Sequence, residues 1–154
     1  MKKIFFIAFL AALGFSAVAQ SYKGSSQIKN AEKKLNEEYC TGMFKSADGI
    51  ILDIESSINA SSYFNILDWL QGRVAGLSVY KSGTGVSIPV IRGNVAGVYI
   101  DEIPVSLSYV NSLSSADIAM IKIIKSPFYG SFNGSGGAIA IYTFKGEDEE
   151  DETK

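Results

Sequence analysis

The chain has 154 residues, a size suited to one ordinary domain. It carries 14 basic and 16 acidic residues, a single cysteine (Cys40) and no histidine. This composition excludes Ser-His and Cys-His nucleophile pairs, histidine metal sites and an intramolecular disulfide.

Lys2 and Lys3, the apolar run Ile4 to Leu13 and Ala17-Val18-Ala19 follow the order of a secretory signal peptide, with cleavage before Gln20. The apolar run is too short to span about 30 Å of hydrocarbon. The mature chain is therefore expected to be exported and to hold no transmembrane segment. Most of its acidic excess lies in the unbroken run Glu147 to Glu152, read as a solvated, disordered tail. The remaining body, with 11 basic and 10 acidic residues, is close to neutral and offers no basic patch for nucleic acid. Cys40 lies too far beyond the apolar run for lipoprotein acylation and is read as a small buried side chain.

Residues 20–48 are polar and mixed in charge, and are read as a mobile arm with one or two helical turns around Ala31, Leu35 and Tyr39. Gly49 to Ile54 reads as a first strand and Ser56 to Ser62 as a loop. A helix capped by Ser62 is predicted from Tyr63 to about Ala75. Its stripe of Tyr63, Ile66, Leu67, Leu70 and Val74 is a core face, and Gly76 is its stop. Short strands are expected at Leu77–Tyr80, at Val86–Ile91 and at Val98–Ile100. Pro89 argues for an edge or a bulge in the second of these. Ser106 to Asn111 is ambiguous, and Ser114 starts one helical turn.

The strongest strand signal is Met120 to Lys125, apolar on both faces except at its lysines, as in a strand covered on both sides. Ala138 to Phe144 is its partner. Ile139, Ile141 and Thr143 share one face; Ala138, Ala140, Tyr142 and Phe144 share the other, where the alanines admit a closely packed element. The loop between them holds Gly130, Gly134, Gly136 and Gly137. It opens onto a strand and not a helix, and no Gly-Lys-Ser/Thr follows, so it is read as a flexible connection and not a phosphate cradle. The elements add up to an α+β fold: a small mixed β-sheet with two short helices.

Five motifs occur in order: Leu70-Gln71-Gly72-Arg73-Val74-Ala75-Gly76, Val90-Ile91-Arg92-Gly93, Val98-Tyr99-Ile100-Asp101-Glu102-Ile103-Pro104, Asp117 to Lys125, and Tyr129-Gly130 through Thr143-Phe144-Lys145-Gly146. Together they resemble the plug domain of TonB-dependent outer-membrane receptors, especially the starch-uptake-porin-like receptors of Bacteroidetes. The resemblance covers Gly49 to Gly146. Glu102 departs from it, standing where the family usually has glycine. In that family a transmembrane barrel follows the plug, but only eight residues follow Gly146 here. The smallest barrel needs about eight strands of about ten residues. The reading is a plug without its barrel, with 1–19 as signal peptide, 20–48 as arm, 49–146 as plug-like domain and 147–154 as tail.

The resemblance implies a non-enzymatic cell-envelope module acting in outer-membrane transport or contacting an outer-membrane β-barrel in trans. The alternative is a soluble periplasmic protein-binding module that keeps the fold without a transport role. No catalytic, cofactor or metal residues are expected. The candidate partner contacts are Arg92, Gly93, Asp101, Tyr129 and Gly130, toward a barrel or another envelope protein. The family's matching arginine faces the barrel wall. Three readings of Arg92 stand: a guanidinium that holds a partner carboxylate, an internal ion pair with Asp101 or Glu102, and simple exposure.

Overall fold

The computed structural model describes residues 21–128 and 134–146. The expected signal peptide, Tyr129, Gly130 and the acidic tail lie outside the described residues. The chain forms two units, 1–34 and 35–154, and the described part of the first, 21–34, is helical. In chain order the helices are α1 (Ser21–Tyr39), α2 (Gly42–Ser46), α3 (Ile66–Leu70) and α4 (Leu107–Ser112). The strands are β1 (Ile50–Asp53), β2 (Leu77–Lys81), β3 (Ser87–Ile91), β4 (Asn94–Val95), β5 (Gly97–Ile100), β6 (Ile103–Pro104), β7 (Ile118–Ile124) and β8 (Ala138–Thr143).

The class is α+β, as expected, but the architecture is richer than one small sheet with two helices. A five-stranded mixed sheet has the order β1-β7-β8-β5-β6, and β5 runs parallel to β8. A separate antiparallel sheet has the order β2-β3-β4. Four α-helices are found among the described residues, since α1 and α4 have weak apolar periodicity and gave the sequence little to mark them. The expected mobile arm is instead a helix of 19 residues. Its run Ala31 to Glu38 is composed almost wholly of good helix formers, and that propensity outweighs the poor apolar stripe.

β7 and β8 form the centre. All seven residues of β7 are buried, because a hydrophobic cluster covers each face. Ile121 and Ile123 join Ile139 and Ile141 on one side, against α3 and Leu77. Met120 and Ile124 join Ala138, Ala140 and Tyr142 on the other. A bulge between Ile118 and Met120 breaks the two-residue alternation and turns Ile118 to the first side. On the second side the alanines leave space that Cys40, Phe44, Tyr99 and Phe128 fill. Phe44 packs against Tyr99 and Phe128 at ring separations of 5.0 and 4.7 Å. The packed body therefore extends N-terminal of Gly49, to Leu35, Tyr39, Cys40 and Phe44.

Three local expectations are corrected. The predicted helix over Tyr63–Ala75 shrinks to α3. Asn65, not Ser62, caps it by accepting from the Leu67 amide at 2.9 Å. Gly72, at φ +77°, turns the chain out of the helix, and Val74 reaches the core from that turn. Pro89 lies in the middle strand of its sheet, not at an edge. Its carbonyl accepts from Ala96 at 3.0 Å, so its missing donor faces the short β4 side and no β2 bond is lost. The glycine loop is not simply flexible: a Cβ on Gly136 would stand 2.4 Å from the Val95 carbonyl oxygen, so this glycine permits a close backbone contact.

Candidate functional site

Two of the family-like motifs end in the same device. β3 and β4 are joined by Arg92-Gly93, with Ile91 opposite Asn94. β5 and β6 are joined by Asp101-Glu102, with Ile100 opposite Ile103. All four linking residues have positive φ: 51° and 86° in the first hairpin, 48° and 68° in the second. These are two-residue type I′ turns, whose twist matches that of the flanking strands. Gly93 meets no atom within 4 Å of an added Cβ, so it serves the turn and not a close contact.

The turns use their side chains differently. Asp101 Oδ1 accepts from the Thr143 amide at 3.0 Å and Oδ2 from its hydroxyl at 2.8 Å, which locks the turn to β8. Glu102 Oε1 accepts from the Thr41 amide at 2.5 Å and from the Tyr142 hydroxyl at 3.1 Å; the Thr41 hydroxyl donates to Oε2. Glycine at 102 would satisfy the turn geometry, but it would not hold the segment before α2. Arg92 belongs to the other sheet's hairpin and is exposed. Among the described residues no ion pair or hydrogen bond joins it to Asp101 or Glu102. Of its three readings, the internal pair is the one this arrangement removes.

Beneath the α1–α2 junction lies a polar cluster that the sequence reading passed over. Lys122 is 2% exposed in the centre of β7. Its ammonium donates to Asn36 Oδ1 at 2.7 Å and to the Phe44 carbonyl at 2.6 Å. Burial holds its pKa below the ordinary lysine value, opposed by the nearby Cys40, Asp48 and Glu102. Cys40 is buried, and burial pushes its thiol up, opposed by the neighbouring Tyr142 hydroxyl and Lys122 charge. Burial and the Cys40 and Glu102 neighbours push the Tyr142 phenol far up. The lysine in an otherwise apolar strand was the signal available for this cluster.

A second network supports α3. Ser87, fully buried, donates to Asp68 Oδ1 at 2.8 Å and accepts from Asn65 Nδ2 at 3.2 Å and Lys81 Nζ at 2.6 Å. Lys81 also pairs with Asp68 at 2.6 Å. Burial raises the Asp68 pKa, but the Lys81 and Ser87 hydrogen bonds and the lysine charge outweigh it and bring the carboxyl below its ordinary value. These groups are satisfied by one another. Among the described residues no His/Cys/Asp/Glu group can hold a metal ion, and no helix is long and apolar enough to cross a membrane.

The fold has close counterparts. The chain is similar to the RagAB peptide importer in its 'open-open' state, with 26% identity and a TM-score of 0.54 over 66% of this chain. For the 'closed-closed' state the values are 25%, 0.53 and 68%. It also matches a mutant of the ferric enterobactin receptor PfeA from Pseudomonas aeruginosa at 21% identity and TM-score 0.51 over 71% of this chain, a likeness of fold alone. The matched region spans only 12–13% of the RagAB chains and 18% of the PfeA chain. No protein-family model and no curated protein matches the sequence. The domain is plug-like, with RagAB and TonB-dependent siderophore receptors as its structural neighbours, as its motifs indicated.

Proposed function

We propose that this chain is a non-enzymatic module of the cell envelope that takes part in outer-membrane transport through contact with a β-barrel. The observation that carries the reading is the match of two thirds of the chain to RagAB, described as a peptide importer, at 25–26% identity. The two type I′ hairpins fall on the family-like Arg-Gly and Asp-x motifs, which supports the view that these turns belong to the inherited contact surface. Arg92 and Gly93 form the exposed tip that meets the barrel wall; Asp101 holds the second tip rigid against β8. Tyr129 and Gly130 complete the proposed surface. The signal-peptide order at the N-terminus supports export, to the periplasm or the periplasmic side of the outer membrane.

Crosslinking in intact cells followed by recovery of the tagged chain tests the reading. Outer-membrane barrel proteins are expected in the wild-type sample and depleted with Arg92→Ala. Recovery of soluble periplasmic proteins alone would favour the binding-module alternative and overturn the transport reading. Intact-mass measurement of the exported form is expected to show a chain that begins at Gln20; retention of Met1 would overturn the export assignment.

A further inference from the structure

At the end of the five-stranded sheet two clefts flank the Phe144 side chain. One, of about 390 Å³, is lined by Tyr39, Thr41, Asp101, Glu102, Tyr142 and Lys145. The other, of about 200 Å³, is lined by Ile54, Glu55, Ser57, Ser61, Ser115 and Ile118. Phe144 borders both and is 43% exposed, so the two clefts form a furrow with an aromatic ridge across it.

Three carboxylates line the furrow, Asp101 and Glu102 in the larger cleft and Glu55 in the smaller, against the one lysine Lys145. Glu38, Asp53 and Glu55 all act on the Tyr39 hydroxyl, which burial and these carboxylates hold above the ordinary tyrosine pKa. Asp101 and Glu102 lie on its wall. None of these five carboxylates is in an ion pair among the described residues. The furrow already holds one cation, the chain's own Lys145. Its ammonium lies 5.2 Å from the Tyr39 ring centroid and donates to the Glu38 carbonyl at 2.5 Å. This site shows the chemistry available to a visiting cation: an aromatic face, a carbonyl and surrounding carboxylates. Two other cations are near: Lys122 is buried below and turned toward α2, and Lys45 donates to the Glu37 carbonyl at 3.5 Å. The chain that continues past Gly146 is Glu147 to Glu152, six further carboxylates. An acidic segment of this kind carries the wrong charge to complement the furrow's carboxylates.

We infer that the Phe144 furrow is a docking groove for a lysine- or arginine-bearing extended segment of a partner protein, its basic side chains seated in the two clefts on either side of Phe144. Aromatic walls take up the aliphatic stems, and carboxylates at the rim select the charge. The inference does not rest on the barrel reading, because the segment is read as a soluble peptide and no membrane protein is needed to test it.

The test uses the full mature chain and a short synthetic peptide alternating lysine and tyrosine, with the glutamate-for-lysine peptide as control. Binding is followed by fluorescence anisotropy and by amide chemical shifts. The lysine peptide is expected to bind and to shift resonances of Tyr39, Glu55, Thr143 and Phe144. Binding should weaken as salt rises, and Glu55→Gln should weaken it by up to about fivefold, the upper range for one exposed ion pair. Phe144→Ala should weaken it with the salt slope kept. A variant with residues 147–152 changed to amides separates groove from tail: retained binding supports the groove, and lost binding overturns it. Absence of binding, equal binding of the glutamate peptide, or shifts confined to other surfaces would each overturn it. So would sedimentation showing that the same residues serve self-association and exclude the peptide.

Discussion

Thr41 and Glu102, 61 residues apart in sequence, are joined by two hydrogen bonds: the threonine amide and hydroxyl each donate to one oxygen of the carboxylate. Glu102 also receives the Tyr142 hydroxyl, so one turn residue fastens the segment before α2 to the central sheet. Glu102→Gly would relieve a positive φ, but it would lose all three bonds. We expect a net destabilisation of about 1–3 kcal/mol, because charged hydrogen bonds outweigh one strained φ. Chemical denaturation measures it, and a stabilised variant would show that turn strain dominates.

Arg92 gives the opposite expectation. It is exposed, with φ 51° and no bond to Asp101 or Glu102. Arg92→Ala keeps the same strain and should leave the melting temperature almost unchanged. Arg92→Asn, better suited to positive φ, should raise it slightly. A large fall in either variant would reveal an internal role for the guanidinium.

Stability should decline in alkali, and the sign follows from three buried groups. Cys40 and Tyr142 have raised folded pKa values. Above about 8.5 the unfolded thiol ionises while the folded one keeps its proton, so stability present below that pH is lost as pH rises. Lys122, with a lowered folded pKa, acts the other way and adds stability as pH rises toward the unfolded value. Cys40→Ala should therefore delay the alkaline loss, and Lys122→Met should steepen it. Denaturant midpoints collected from pH 7 to about 10.5 test both signs.

The two kinds of glycine should separate cleanly. Gly93→Ala adds only φ strain, of about 1 kcal/mol, because no atom lies near its added Cβ. Gly136→Ala drives the Cβ onto the backbone oxygens of Asn94 and Val95 and should cost more than about 3 kcal/mol or prevent folding. Melting temperatures of the two variants decide it; equal losses would mean that the loop shifts to make room.

Ser87→Ala tests the network behind α3. It leaves Asn65, Asp68 and Lys81 without their shared hydroxyl at a fully buried position, and should cost about 1–3 kcal/mol. In wild type the Asp68 carboxyl, with its lowered pKa, contributes stability above the unfolded value that is lost as pH falls through the folded one. Asp68→Asn should flatten that acid limb, read from denaturant midpoints between about pH 2 and 5.

The centre of this fold was legible because its residues repeat a pattern over two covered faces: the alternation in β8 assigned Ile139 and Ile141 to one side and the two alanines to the other, as observed. The alanines also announced a close neighbour, though not that α2 and Phe44 supply it. What stayed hidden depends on contacts distant in sequence. Nothing near Lys122 says that carbonyls 77 and 78 residues away receive its ammonium. Nothing near Asn65 says that it would displace Ser62 as a cap, because its second role is to bond Ser87 and Asn111. The Arg-Gly and Asp-Glu dipeptides were visible as motifs. Their shared reason, paired left-handed residues in two-residue hairpins, needed the strand register. The Phe144 furrow went unseen because its walls come from five separate stretches of chain.

The order of strands sets a clock on folding. The central strand of the large sheet, β8, and its neighbour β7 are made after the sheet's other strands, and β1 has no neighbour until β7 exists. A nascent chain cannot close this sheet before Thr143 has been synthesised. Until then β1 can pair only with β7 and β5 only with β6, with no strand to join the two pairs. Such late closure makes folding slow to begin. It also keeps the five-stranded sheet from locking until its central strand has been made, a delay that suits a polypeptide that must pass through a narrow membrane channel before it folds.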